Sequence, residues 1–242
     1  MDNFKGMVLA RLCRHSEQSV ESWAEPKNYI KRCAFTLSEL LLSLIIVGVV
    51  AIITVPVLIN NVQKKVFATQ LKNMVATIEQ LAQDELITHR TRDLSNTDFA
   101  APEALLTSKH FNIVKFCPPS NALTDCWKTN VSGRDKVQYK LLNKSNDSIN
   151  AGNTIILKNG VMLRYSFFRG RPYFLIDING NDKPNISGRD LFGFILYSNG
   201  QIYPYCEIVK HANILAEKIN ACKSDTICCT DALIDNNWKM DY

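Results

Sequence analysis

The stretch Lys31-Arg32-Cys33-Ala34-Phe35-Thr36-Leu37-Ser38-Glu39-Leu40-Leu41-Leu42-Ser43-Leu44 runs from two cations into an apolar segment and sets a carboxylate, Glu39, just inside it. The apolar run continues through Ile45, Ile46, Val47, Val49, Val50, Ile52 and Ile53 to Ile59. At about 20–25 residues it is long enough to cross a bilayer core as a helix. Lys27, Lys31 and Arg32 flank its start, and Lys64 and Lys65 lie several residues past its end. The positive-inside tendency therefore places the N-terminus in the cytoplasm, with a modest bias.

Two simple accounts of this run handle Glu39 badly. A secretory signal peptide has a short apolar core and a small-residue cleavage site after it. Here the core is long, and Asn60-Asn61-Val62-Gln63 follows it. A plain anchor would carry a carboxylate at a cost of up to about 2.5–3.5 kcal/mol at mid-membrane, less near the interface, with nothing gained. An acid at this depth calls for a partner.

Ala34-Phe35-Thr36-Leu37-Ser38-Glu39, followed by the apolar helix, resembles the type III signal of type IV prepilins and type II secretion pseudopilins. Lys31-Arg32 supply the basic end of the leader. Gly48 and Pro56 sit where that family has a helix-loosening glycine and a kinking proline. Ala34 stands in place of the usual glycine, and Ser38 in place of a common isoleucine or valine. The resemblance implies that a prepilin peptidase cuts between Ala34 and Phe35 on the cytoplasmic side and methylates the new Phe35 amine. It also implies the location: bacterial inner membrane, single pass, head extracytoplasmic, then a periplasmic or surface filament. The implied partners are other pilin or pseudopilin subunits and the inner-membrane assembly machinery. Glu39 then acquires a role, because the Phe35 amine of a neighbouring subunit is a cation that pairs with it inside the lipid and offsets both desolvation costs.

The 242 residues suffice for one globular domain with an appendage. The net charge of +5 leaves +3 beyond residue 34, with no basic stripe of the kind nucleic acid requires. Arg164, Arg169 and Arg171 form a small cluster at best, so nucleic acid is not an expected partner and a DNA-capturing pilin is an alternative only.

Beyond Pro56 the helical pattern persists, with Phe67, Leu71, Met74, Ile78 and Leu81 at alternating steps of four and three residues. A helix from Phe35 to about Ile87 would be roughly 80 Å long at 1.5 Å per residue, bent at Pro56. Thr88–Thr97 reads as a linker, with Ser95-x-x-Asp98 marking a short helix start. Short runs rich in β-formers follow at 153–158, 161–168, 172–178, 191–197 and 201–205, broken by Asn159-Gly160, Arg169-Gly170 and Asn199-Gly200. Such dipeptides between apolar runs signal hairpins. The expected fold is α+β and pilin-like: a leader at 1–34, a transmembrane helix half at 35–60, an amphipathic half at 61–90, and a head at 91–242 built on an antiparallel sheet.

Cys13 and Cys33 fall in the leader, leaving Cys117, Cys126, Cys206, Cys222, Cys228 and Cys229 in the exported part, where disulfides are permitted. Cys117 and Cys126 close a short loop entered by Pro118-Pro119 and are the expected bridge. The other four allow three pairings, with Cys228 to Cys229 strained. A zinc set of Cys206, His211, Cys222 and Cys228 or Cys229 is a competing reading without a Cys-x-x-Cys knuckle.

Asp177-Ile-Asn-Gly-Asn-Asp-Lys-Pro-Asn-Ile-Ser-Gly-Arg-Asp190 gathers hard oxygen donors at Asp177, Asn179, Asp182, Asn185 and Asp190, which suit calcium. It also resembles the loop of pseudopilin heads, some of which bind that ion. The competing reading is a polar turn. No Gly-x-Ser-x-Gly, His-Glu-x-x-His or phosphate loop is present, and His89, His110 and His211 are scattered. The expectation is a structural subunit rather than an enzyme, with a membrane-anchored extracytoplasmic enzyme as the alternative.

Overall fold

The computed structural model describes residues 36–101, 106, 111–127, 136–142, 146–150 and 152–242. The leader, the Ala34–Phe35 processing position, Cys13 and Cys33 lie outside the described residues. The chain divides into two compact units at Leu58/Ile59.

One helix, α1, runs from Leu37 to Thr88, through Pro56. In the first unit every large aliphatic side chain from Leu37 to Leu58 is exposed. This helix is long and apolar enough to cross a membrane. Within the second unit α1 is amphipathic: Ala68, Leu71, Met74, Val75, Ile78, Leu81, Ala82 and Leu86 are buried, at the three- and four-residue spacing of one helix face. Phe67 packs partly buried against the same core.

The second unit is α+β. A five-stranded antiparallel sheet has the order β1-β4-β5-β6-β7, from Ile113–Cys117, Asn153–Leu157, Met162–Phe168, Arg171–Asp177 and Leu191–Ile195. Between β1 and β4 lie a short helix, α2 (Ala122–Asp125), and a separate hairpin, β2 (Lys136–Lys140) with β3 (Asn146–Asn150). Both faces of the sheet are covered. Leu163, Tyr165, Phe174, Ile176, Phe192 and Phe194 face the α1 stripe, while Met162, Tyr173, Leu175, Leu191 and Ile195 belong to a second core with Trp127 and Tyr205. Burial on two faces explains why β6 and β7 read as nearly unbroken apolar runs rather than alternating ones.

The hairpin signals act as expected at two turns. Arg169 (φ 50°) and Gly170 (φ 76°) both take positive φ between the paired Phe168 and Arg171, as a two-residue primed turn requires. Gly160 closes the β4–β5 turn. The third turn, at Asn199-Gly200, docks on α1: a Cβ on Gly200 would lie 2.9 Å from Ala82 Cβ, and Gln83 Nε2 donates to Asn199 O at 2.9 Å.

Two expectations are corrected, and the C-terminal helices are an addition to them. Residues 201–205 do not form a strand, since only an isolated bridge joins Leu196 and Ile202 before Tyr205 opens a short helix, α3 (Tyr205–Lys210). The turn after α1 starts from Asp93 and Thr97 rather than Ser95: their side chains accept from the Ser95 and Phe99 amides, capping two 3-10 turns at Leu94–Asn96 and Asp98–Ala100. The chain ends on α4 (Leu215–Cys222) and α5 (Cys228–Asp235), which sequence periodicity alone did not reveal.

Candidate functional site

The start of α1 is a reciprocal cap. Thr36 N and Thr36 Oγ1 donate to Glu39 Oε2 at 2.9 and 2.8 Å, and Glu39 N donates to Thr36 Oγ1 at 3.3 Å. This is the capping box, in which a threonine and a glutamate three residues later satisfy orphan amides of the first turn. Both side-chain bonds use the same carboxylate oxygen, and a carboxylate has acceptor capacity for more. Glu39 is thus held at the helix end in a fixed orientation, among the exposed Leu37, Leu40, Leu41 and Leu42.

The loop between β6 and β7 holds all five calcium candidates, and the structure uses much of their ligand capacity internally. Asp190 is fully buried and takes the Asn185 and Ile186 amides at 2.6 and 2.7 Å, one on each oxygen. Burial raises its pKa, and the two amides and nearby Arg189 work against that rise. Asp177, also fully buried, accepts the Asn179 amide. Asn179 Nδ2 donates to the Asp182 and Lys183 carbonyls, while Asn179 Oδ1 is a buried oxygen with no hydrogen-bond partner. Asp182 is exposed. Asp177, Asp182 and Asp190 do not form a group with oxygens within 4.8 Å of one another.

Neighbours buttress this loop. Ser187 N donates to Lys140 O, Ser187 and Thr226 hydroxyls lie 3.1 Å apart, Tyr242 Oη donates to Gly188 O, and Arg189 bonds to Asn60 Oδ1. Gly188 (φ 85°) lies over the Cys222–Cys229 bridge, so closely that a Cβ there would sit 2.7 Å from Cys229 Sγ and 2.9 Å from Cys222 Sγ.

All six described cysteines are paired: Cys117 with Cys126, Cys206 with Cys228, and Cys222 with Cys229, at Cα separations of 6.2, 4.8 and 4.4 Å. The zinc set is thereby corrected, because its sulfurs are in disulfides and the adjacent Cys228 and Cys229 take separate partners. The C-terminal helices also hold a charge cluster invisible in the sequence. Lys218, 3% exposed, donates to Glu207 and Asp235 at 2.5 and 2.6 Å. Burial works against its charge, and the bonds and charges of Asp235 and Glu207 outweigh it, so its pKa is raised. Nearby Asp231 accepts the Cys206 amide, and burial pushes its carboxyl up to about 7.

Each of the three arginines lies over an aromatic ring. Arg164 is buried over the Tyr173 ring, Arg169 lies over Phe168, and Arg171 lies 4.5 Å from the centroid of Tyr203. His89, which carries no motif in sequence, stands beside Glu85 and Asp98. The available signal in sequence is the one-turn Glu85-x-x-x-His89 spacing where α1 ends. No family model, no characterised protein and no solved structure matches this chain.

Proposed function

We propose that the chain is a pilin-like structural subunit, cut between Ala34 and Phe35 by a prepilin peptidase, N-methylated at Phe35, and assembled into a type IV pilus or type II secretion pseudopilus. The observation that carries the reading is the start of α1: a glutamate fixed at the head of a helix whose aliphatic side chains are all exposed as far as Leu58. Such a surface needs lipid or neighbouring helices to cover it. Its single acid then gains most from a cation brought by another subunit. The long helix, the antiparallel sheet packed on its second half, and the disulfide-stapled end are compatible with this architecture. The subunit inserts once in the bacterial inner membrane with its N-terminus cytoplasmic and its disulfide-bearing head outside.

Glu39→Ala tests the reading. Insertion depends on the apolar run, which the change only makes more apolar. The variant should accumulate as processed membrane monomer and form no filaments; normal filaments would contradict the proposal.

A further inference from the structure

We propose that Glu85, His89 and Asp98 form a binding site for a first-row divalent metal ion of the zinc class, which fastens the end of α1 to the turn that follows it. His89 Nε2 lies 3.4 Å from Glu85 Oε2 and 3.7 Å from Asp98 Oδ1, and one ligand atom of each residue lies within 4.8 Å of the others. A tetrahedral zinc ion with bonds of about 2.0–2.1 Å sets its ligands about 3.3 Å apart. The two measured edges already approach that spacing, so an ion requires only small side-chain adjustments. The imidazole selects against calcium and magnesium, which take oxygen shells, and toward zinc and its neighbours in the first transition row.

The three ligands come from two elements with independent reasons for their positions. Glu85 lies in the last turn of α1 and His89 directly follows its end, with the His89 amide donating to Glu85 O at 3.0 Å. Asp98 opens the second 3-10 turn, whose Thr97 cap bonds to the Phe99 amide. Phe99 is fully buried, meets Tyr165 and Phe174 edge-on, and accepts the Tyr165 hydroxyl on its carbonyl. Asp98 is therefore anchored by the residue after it. Its own amide donates to Glu85 Oε2 at 3.3 Å, an outer contact that orients one ligand. His89 is 37% exposed and Asp98 50%, so solvent reaches the site and water can fill the fourth position. Three protein ligands plus an open position is the arrangement of accessible zinc sites.

The test uses the full-length chain in detergent, without a polyhistidine tag, and zinc chloride as the probe. Calorimetry should show saturable binding of one ion, and Tm should rise by about 5–10 °C at one hundred times Kd. His89→Gln should abolish both effects. Asp98→Asn, a change at an exposed side chain, should weaken binding at least about tenfold and keeps the test informative if the histidine variant folds poorly. Absence of saturable binding up to about 100 µM zinc would overturn the proposal, leaving His89 as a polar neighbour of the two carboxylates only. Zinc binding undiminished in both variants would place the ion elsewhere and overturn it equally. Neither result bears on filament assembly, which rests on Glu39.

Discussion

Thr36 and Glu39 cap each other at the start of the long helix, with the Thr36 amide and hydroxyl both on Glu39 Oε2. Glu39 is therefore a helix cap, and the proposed function gives it a second role to separate from this one, a charge presented to a neighbour. Glutamine retains the capping geometry but not the charge. If charge pairing drives assembly, Glu39→Gln should fail to form filaments as fully as Glu39→Ala, whereas Thr36→Ala, which loses only part of the cap, should still assemble. Electron microscopy of sheared fractions reads the difference, and filaments from Glu39→Gln would transfer the role from charge to cap.

Gly188 should tolerate no side chain. Its positive φ and its closeness to the Cys222–Cys229 sulfurs act together, so Gly188→Ala should lower stability by at least about 2 kcal/mol. Urea unfolding under oxidising conditions measures it. A midpoint equal to the parent's would show that the loop is not seated on the bridge.

The three disulfides should contribute unequally. Residue separations of 22, 9 and 7 rank Cys206–Cys228 above Cys117–Cys126 and Cys222–Cys229, each within about 2–4 kcal/mol by loop-closure entropy. Peptide mapping without reduction, with fragmentation that resolves the adjacent Cys228 and Cys229, should recover these pairs. Exchanged partners would refute the pairing.

Asp231 should make stability depend on pH. Its folded value of about 7 lies above the unfolded value of about 3.9, so between them the unfolded chain loses the proton while the folded chain keeps it. This contribution falls as pH rises from about 4 to about 7 and is level above that. Asp231→Asn retains an acceptor for the Cys206 amide, so it should stabilise the head at pH 7.5 and flatten that slope. Urea midpoints from pH 4 to 8 check the sign, and an unchanged slope would count against the buried carboxyl.

Asp190 should steady its loop without help from a metal. Asp190→Ala strands the Asn185 and Ile186 amides, at a cost of about 1–3 kcal/mol or more. The resulting fall in Tm should be the same with millimolar calcium as with chelator. A parent Tm that rises with calcium, and a variant Tm that does not, would restore the calcium reading.

The long helix and the central strands were legible because local patterns decide them: the apolar run, the stripe from Phe67 to Leu81, and the glycine turns at 160 and 170. The loop's donors were legible as residue types but not as roles, since each oxygen of Asp190 accepts an amide that only the folded loop presents. His89 and Asp98 are joined by a turn capped at Asp93 and Thr97, two residues either side of Ser95, where the sequence pattern puts the helix start. Lys218 looks like a surface lysine on a short helix, and only the packing of α3, α4 and α5 buries it between Glu207 and Asp235. Strand runs signalled by β-formers stop short at 201–205 because Tyr203 and Tyr205 are used to cover the second face of the sheet.

The most direct measurement is mass spectrometry of the N-terminus of the protein isolated from native membranes. The account predicts a mature chain that begins at Phe35, carries one methyl group on its α-amine and lacks residues 1–34. A mature protein that retains those residues would contradict it.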